Sequence, residues 1–330
     1  MKNRLIIFIT VTLMATFLSA CKDEKSGPPQ DDEVNYRVYM RDFVKNISKY
    51  AKEIKPGFAI IPQNGIELVT VEGDFTDYPE TNYLNAIDGV GQEDLFFGYD
   101  NDNEATPAET TSYLIHYLDV AKENNVVVLT TDYCSTHSKM DESYGKNNKK
   151  GYILFAADHR ELDNIPGYPS TPFNENSDVI TKLSQIDNFL YLIDPSQFSS
   201  KEDFINAVTS TNYDLLIMDC FFNDDIFSSD EINQLRQKSN GGKRLVISYM
   251  SIGEAENYRY YWNDNWLTNP PEWLKEENPD WEGNYKVAYW EKEWQDIIYG
   301  NDNSYLKKIV DAGFDGVYLD IIDAFEYFED

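Results

Sequence analysis

The chain has 330 residues, 42% of them hydrophobic, with 28 Lys and Arg against 58 Asp and Glu and a formal net charge of −30. Phosphate recognition needs clustered Lys and Arg, so this balance argues against nucleic acid or anionic lipid headgroups as partners and is compatible with a neutral or cationic ligand. The length suits one large domain or two small ones.

Lys2 and Arg4 precede an apolar run from Leu5 to Leu18, which is too short to span a bilayer. Leu18-Ser19-Ala20-Cys21 follows. The pattern resembles a bacterial lipoprotein signal, so residues 1–20 are expected to be cleaved and Cys21 to carry lipid. Residues 21–34, with KSGPPQDDE at 25–33, read as a polar tether. The charged run Lys22-Asp23-Glu24 resembles the surface-export signals of Bacteroidetes lipoproteins. The expected location is the outer membrane, held by the lipid alone, on the cell-surface face or on the periplasmic one. A monomer is expected.

Apolar residues at 40, 43, 44, 47, 51 and 54 keep helical spacing, so 36–54 is an amphipathic helix, ended by Pro56-Gly57. FAIIPQN (58–64) reads as a strand, AIDGVGQEDLFF (86–97) holds another at 87–93, 108–124 is helical and VVVLTTDY (126–133) is a buried strand. The stretch 134–188 is rich in Asn, Pro and Gly, and 135–188 is expected to be an irregular insertion, with YILFAA (152–157) as a short extra strand. FLYLID (189–194), LLIMDC (215–220), RLVISYMS (244–251), YKVAYW (285–290) and GVYLD (316–320) read as further strands. Between them, SSKEDFINAV begins a helix with Ser199 and Glu202 as a capping box, and SSDEINQLRQK a second with Ser228 and Glu231 in the same relation. SYLKKIVDAGF (304–314) is a third helix.

The strands are continuous apolar runs rather than alternating ones, which implies a parallel sheet covered on both faces. Eight such strands alternating with helices point to an α/β fold of the (β/α)8 TIM-barrel type over 35–330. A doubly wound open sheet is the alternative, with no GxGxxG or phosphate loop to support it. A helix comes first and a strand last, so the strand at 58–64 is expected beside 316–320, with 36–54 packed where the helix after 316–320 belongs. That order is a circularly permuted barrel, with 135–188 as the rejoining segment.

Cys134 and Cys220 are expected as free thiols. With His116, His137 and His159 as the only histidines, no zinc site of His and Cys and no cofactor is expected. Several strands end in an acid: Glu93, Asp132, Asp194, Asp219 and Asp320, with Glu254 three residues beyond another strand. Barrel active sites lie at those strand ends. Carboxyls facing one another there cannot all ionise freely, and a protonated carboxyl beside an ionised one is what glycoside hydrolysis uses. The competing reading of a strand-end Asp is a cap on the next helix, and it weighs most on Asp194 before Pro195. All six tryptophans fall between 262 and 294 among several tyrosines. Such rings either stack on sugars or pack a loop on itself.

YLID, YDLLIMD, VISYMSIGEAENYRYYW, WQDIIYG and AGFDGVYLDIIDAFEYF resemble glycoside hydrolase family 114, the endo-α-1,4-polygalactosaminidase-like TIM barrels. RDFVKNISKYA, FAIIPQNGIEL, IDGVGQEDLFF and VVVLTTDYC resemble words that follow the YLDIIDAFEYF segment in that family and precede it here. The resemblance implies two catalytic carboxylates, on Asp320 and Glu93. It implies a cleft lined by Asp219, Tyr249, Glu254, Gln63, Asn64 and Asp132, and Asp194, Tyr318 and Arg259 complete the candidate substrate-binding set. The implied activity is endo-acting hydrolysis of an extracellular polysaccharide, of α-1,4-linked galactosamine type. Glu93 is expected as the general acid, from the apolar neighbours Leu95, Phe96 and Phe97, with Asp320 as nucleophile or base. A surface lipoprotein that binds glycans without cleaving them is the alternative. A peptidase or esterase is disfavoured by the lack of G-x-S-x-G and H-E-x-x-H.

Overall fold

Eight parallel strands, most of them runs of buried apolar residues, make up the centre of the fold. They are β1 (Ala59–Pro62), β2 (Gly89–Glu93), β3 (Val127–Tyr133), β4 (Ile153–Ala157), β5 (Leu190–Tyr191), β6 (Leu215–Met218), β7 (Leu245–Ser251) and β8 (Gly316–Asp320). The structure is a computed structural model that describes residues 35–329. The expected signal peptide, the lipidation site Cys21 and the tether 21–34 lie outside the described residues.

One ladder runs β1-β8-β7-β6-β5 and the other β2-β3-β4. In register, Ile61 faces Tyr318, Tyr318 faces Tyr249, and Glu93 faces Thr131. Gln63 stitches the two ladders together. It forms a parallel bridge with Gly91 while its N–H donates to Leu319 O at 2.8 Å. The expected neighbours, the strands at 58–64 and 316–320, are thus adjacent.

Helices cover the strands. Helix α1 (Tyr36–Ile54) buries Met40, Phe43, Val44, Ile47 and Ala51, the apolar stripe read from the sequence. Asn35 caps it by accepting from Val38 N at 3.0 Å. It packs beside α7 (Tyr305–Ala312) and the turn Ile322–Phe325 that follows β8. The other long helices are α2 (Ala108–Glu123), α3 (His137–Lys150), α4 (Lys201–Thr209), α5 (Ser229–Leu235) and α6 (Lys292–Ile298), and two single-turn helices occupy Thr81–Leu84 and Glu326–Glu329. The capping box of Ser228 and Glu231 is formed. For α4 the cap is one residue later than expected: Ser200 accepts from Asp203 N at 3.2 Å, and Ser199 binds the Asp203 carboxylate instead.

Two expectations need larger corrections. The segment 135–188 is not irregular throughout, since α3 and β4 occupy 137–157 and β4 extends the β2-β3 ladder. Ser143 and Asn147 sit on the buried face of α3 beside Met140 and Tyr144, so its inward stripe is half polar and the helical period was masked. Conversely, 285–290 does not join the parallel strands. Asn284–Val287 pairs antiparallel with Glu254–Glu256 and Leu274–Glu277 in a separate small sheet beyond the end of β7. Cys134 and Cys220 are free and buried.

Gly91 shows how tightly the interior is filled. A Cβ there would overlap the Tyr318 hydroxyl and ring, which reach across from β8. Gly91→Ala is expected to lower stability by about 1–3 kcal/mol through overpacking. Urea denaturation checks this, and an unchanged midpoint would refute the crowding.

Candidate active site

A cleft of about 820 Å³ opens at the C-terminal ends of the parallel strands. Of the candidate residues, Gln63, Asn64, Glu93, Asp194, Asp219, Tyr249, Arg259 and Asp320 line it. Side chains that the sequence reading did not single out line it as well: Tyr133, Arg160, Tyr191, Glu256, Tyr258, Asp323 and Tyr327.

The two proposed catalytic carboxyls are held differently. Glu93 ends β2 and is clamped by Asn64, which sits just after β1 at φ 60. Asn64 Oδ1 accepts the Glu93 backbone N–H at 3.2 Å, and Asn64 Nδ2 donates to Glu93 Oε2 at 3.3 Å. The Tyr133 hydroxyl donates to Glu93 Oε1. Leu95, Phe96 and Phe97, expected as an apolar setting for Glu93, are buried in the core and do not line the cleft.

Asp320 ends β8. Its carboxylate accepts from the Tyr249 hydroxyl at 2.7 Å. Removal from water, then the charge of Glu93, pushes its pKa up to about 7; the Tyr249 bond opposes this. Glu93 and Asp320 line the same cleft. Ile321 follows at φ 58, a left-handed conformation that costs a β-branched residue on the order of 1–3 kcal/mol. The turn fits only because Gly253 lacks a side chain: a Cβ there would overlap Ile321 O and Ala324. This turn also puts Asp323 on the cleft wall. Burial and then the nearby Asp320 push the Asp323 carboxyl up to about 8.

Elsewhere on the cleft lining, Arg259 holds two acids. Its guanidinium lies 2.6 Å from Asp219 Oδ2 and 2.6 Å from Glu256 Oε2, and all three side chains are largely buried. Burial raises the Asp219 carboxyl, and Arg259 offsets part of that rise. The Tyr258 hydroxyl donates to Glu256 at 2.6 Å, and the Tyr191 hydroxyl to Gln63 at 2.9 Å. Asp194 lines the cleft and accepts from Ser196 N at 2.8 Å within its own loop; it does not cap the next helix, whose N-cap is Ser200.

Three candidate residues do not line the cleft. Asp132 is fully buried, accepting from Phe96 N, Phe97 N, Ser143 and Asn147, so it ties the loop after β2 to α3. Glu254 is buried behind the wall, bonded to Asn278 at 2.9 Å and to Tyr327 at 3.1 Å. Tyr318 fills the interior against Gly91, its ring 5.3 Å from that of Tyr191. In each case an interior packing or hydrogen-bonding demand claims the side chain.

Parallel strands deliver several carboxyls, Glu93 and Asp320 among them, into one open cleft at their C-terminal ends. Residues 187–330 match the model of glycoside-hydrolase family GH114, so the resemblance read from the sequence is borne out over that stretch. The chain is also 38% identical over 201 residues to an uncharacterized protein of Methanocaldococcus jannaschii, covering 56% of this chain. Uncharacterized proteins of Thermotoga maritima and Deinococcus radiodurans are 53% identical over 83 residues and 40% identical over 122, covering 25% and 37% of this chain. The matches span 55%, 24% and 37% of those relatives' own lengths.

Proposed function

We propose that the chain is a glycoside hydrolase acting on an extracellular polysaccharide, with Asp320 as general acid and Glu93 as the partner carboxylate that attacks as nucleophile or activates water. The observation that carries this is that Glu93 and Asp320, each at the end of a parallel strand, line the same cleft, with donors from Asn64 and Tyr133 on Glu93 and from Tyr249 on Asp320; burial and then the charge of Glu93 push the Asp320 carboxyl up to about 7. This assignment reverses the roles read from the sequence. Asp320 keeps a proton near neutrality, whereas Glu93 has donors from Asn64 and Tyr133 directed at its oxygens. A proton held on Asp320 passes to the glycosidic oxygen as the bond to the anomeric carbon breaks, and Glu93 meets the positive charge that develops there.

Charge supports the substrate class. Eight carboxyl side chains and two guanidinium groups line the cleft, and both guanidinium groups are committed: Arg259 as described, Arg160 to Asp94 at 2.8 Å. A uronate or sulfated glycan would meet uncompensated repulsion. An amino sugar with a free ammonium group matches this field, which favours an α-1,4-linked galactosamine-type chain cut internally in an open cleft. The test is a panel of purified polysaccharides offered to the soluble domain beside Asp320→Asn. Release of new reducing ends by wild type alone, from cationic polymers first, supports the reading. Binding without release by either protein would make it a glycan-capture module.

The chain order of the eight parallel strands, with β8 beside β1 and a bridge from Gln63 to Gly91 between the two ladders, supports our proposal of a permuted (β/α)8 barrel. We also propose the lipid anchor at Cys21 in the outer membrane. Cys21→Ser is expected to move the protein from the membrane fraction to the soluble one, and tight membrane retention of that variant would refute the anchor.

A further inference from the structure

Five of the six tryptophans lie in ring clusters. Trp262, Trp266, Trp273 and Trp294 form a chain with centroid distances of 5.0–5.3 Å, and Trp290 packs on Phe328 at 4.8 Å. These five are accounted for by packing, the competing reading of the aromatic stretch.

Trp281 differs. It is 59% exposed, lines the cleft, and makes no ring contact among the described residues. Leaving an indole in water forfeits the burial that the other five obtain. It is not a loose side chain on a loose loop. Trp281 stands in the turn between strands Leu274–Glu277 and Asn284–Val287, closed by Trp281 N to Asn278 O at 3.3 Å and Asn284 N to Trp281 O at 3.1 Å. Asn278 Nδ2 donates to buried Glu254 at 2.9 Å, and Tyr327 donates to the same oxygen, so the turn is anchored to the cleft wall. Two acceptors beside it are buried with no partner among the described residues, Asn284 Oδ1 and Glu254 Oε2. Tyr258, 57% exposed, also lines the cleft.

We propose that Trp281 is the stacking platform of a sugar-binding subsite on the cleft wall, apart from Asp320 and Glu93, where a pyranose ring lays its C–H face on the indole. Asn284 on the same wall supplies an acceptor for a hydroxyl or ammonium hydrogen of that sugar. The rings accepted are neutral or cationic, since Asp280 and Glu256 share the wall; a cationic sugar gains a further attraction to the indole face. The subsite explains why an acidic cleft keeps one bare indole on a braced turn. It gives Glu254 a positioning role: its bond to Asn278 fixes the turn that carries the platform.

The inference rests on the glycosidase reading. The experiment uses galactosamine oligosaccharides of two to eight units and chitosan oligosaccharides of the same lengths as probes, with wild type, Trp281→Ala and Trp281→Phe. Trp281→Ala is expected to raise KM about tenfold for long oligomers, the scale of one lost stacking contact, with kcat and the KM of the shortest cleaved oligomer unchanged. Trp281→Phe, which retains a ring, is expected to recover part of the loss. A change in kcat alone, or an equal loss for short and long oligomers, would overturn the subsite. So would equal kinetics of Trp281→Ala and wild type on a cleaved substrate, with the glycosidase reading left standing. If wild type neither binds nor cleaves any probe, the glycosidase reading on amino sugars falls and takes the subsite with it.

Discussion

Asp320→Asn is expected to lower kcat/KM on a cleaved polysaccharide by about 10²–10⁴-fold, the range for removing a general acid. The amide keeps the shape and the contact with Tyr249, so folding and glycan affinity stay near wild type. Glu93→Gln is expected to lose at least as much, because it removes the group that meets the developing charge. The pH profile separates the two roles. With the Asp320 carboxyl raised to about 7, first by burial and then by Glu93, wild-type kcat/KM should hold below that value and fall above it as the proton is lost. Weakening the repulsion lowers the Asp320 pKa, so residual activity in Glu93→Gln should fall off at lower pH than in wild type. A profile that rises through pH 7 would make Asp320 the base and restore the roles read from the sequence. Wild-type rates in both amide variants would move the chemistry to Asp219 and Asp323, which share the cleft.

What the sequence could and could not say follows from the range over which each feature is determined. The strands, α1 and the strand-end acids are local: an apolar run or a 3.6-residue stripe is written in adjacent residues. Glu93 and Asp320 were legible for that reason, and their meeting followed from strand order. The failures are non-local. Asp132 and Glu254 have the same strand-end look as Glu93. Only the partners, Ser143 and Asn147 for one and Asn278 and Tyr327 for the other, show them to be turned away from the cleft. Asp323 and Tyr133 carried no signal, because a left-handed turn at Ile321 and a neighbouring strand put them in place. Strand β4 was seen only as an extra, and Asn284–Val287 was taken for a barrel strand, since a short run does not reveal which sheet it joins. The reversal of roles that we propose for the two carboxyls has the same origin: Leu95, Phe96 and Phe97, sequence neighbours of Glu93, are buried in the core and do not line the cleft.

Arg259→Met is expected to destabilise the fold by about 3–5 kcal/mol near neutral pH, the scale for breaking a buried ion pair from one side. Arg259 is 6% exposed at its side chain, Glu256 2% and Asp219 14%, so water cannot replace the lost partner. Methionine fills much of the volume, which leaves charge as the cause. The pH dependence carries a sign. Burial already raises the Asp219 carboxyl above its ordinary range, with Arg259 opposing that rise. Without the guanidinium it rises further, so the folded variant holds a proton that the unfolded chain releases near pH 4. Stability then falls as pH climbs from that value through the folded-state pKa, and the deficit against wild type should shrink toward pH 5 and be largest above pH 7. Arg259→Lys keeps one charge but cannot fork between two carboxylates, so it should lie between the two. Urea denaturation at pH 5 and pH 7.5 reads both quantities. A loss under 1 kcal/mol at pH 7.5, or one that grows on acidification, would show that Asp219 and Glu256 do not depend on Arg259 for their place in the cleft. If the deficit behaves as expected, the same ion-paired group that costs stability when broken is what keeps Asp219 and Glu256 ordered as acids of the cleft lining.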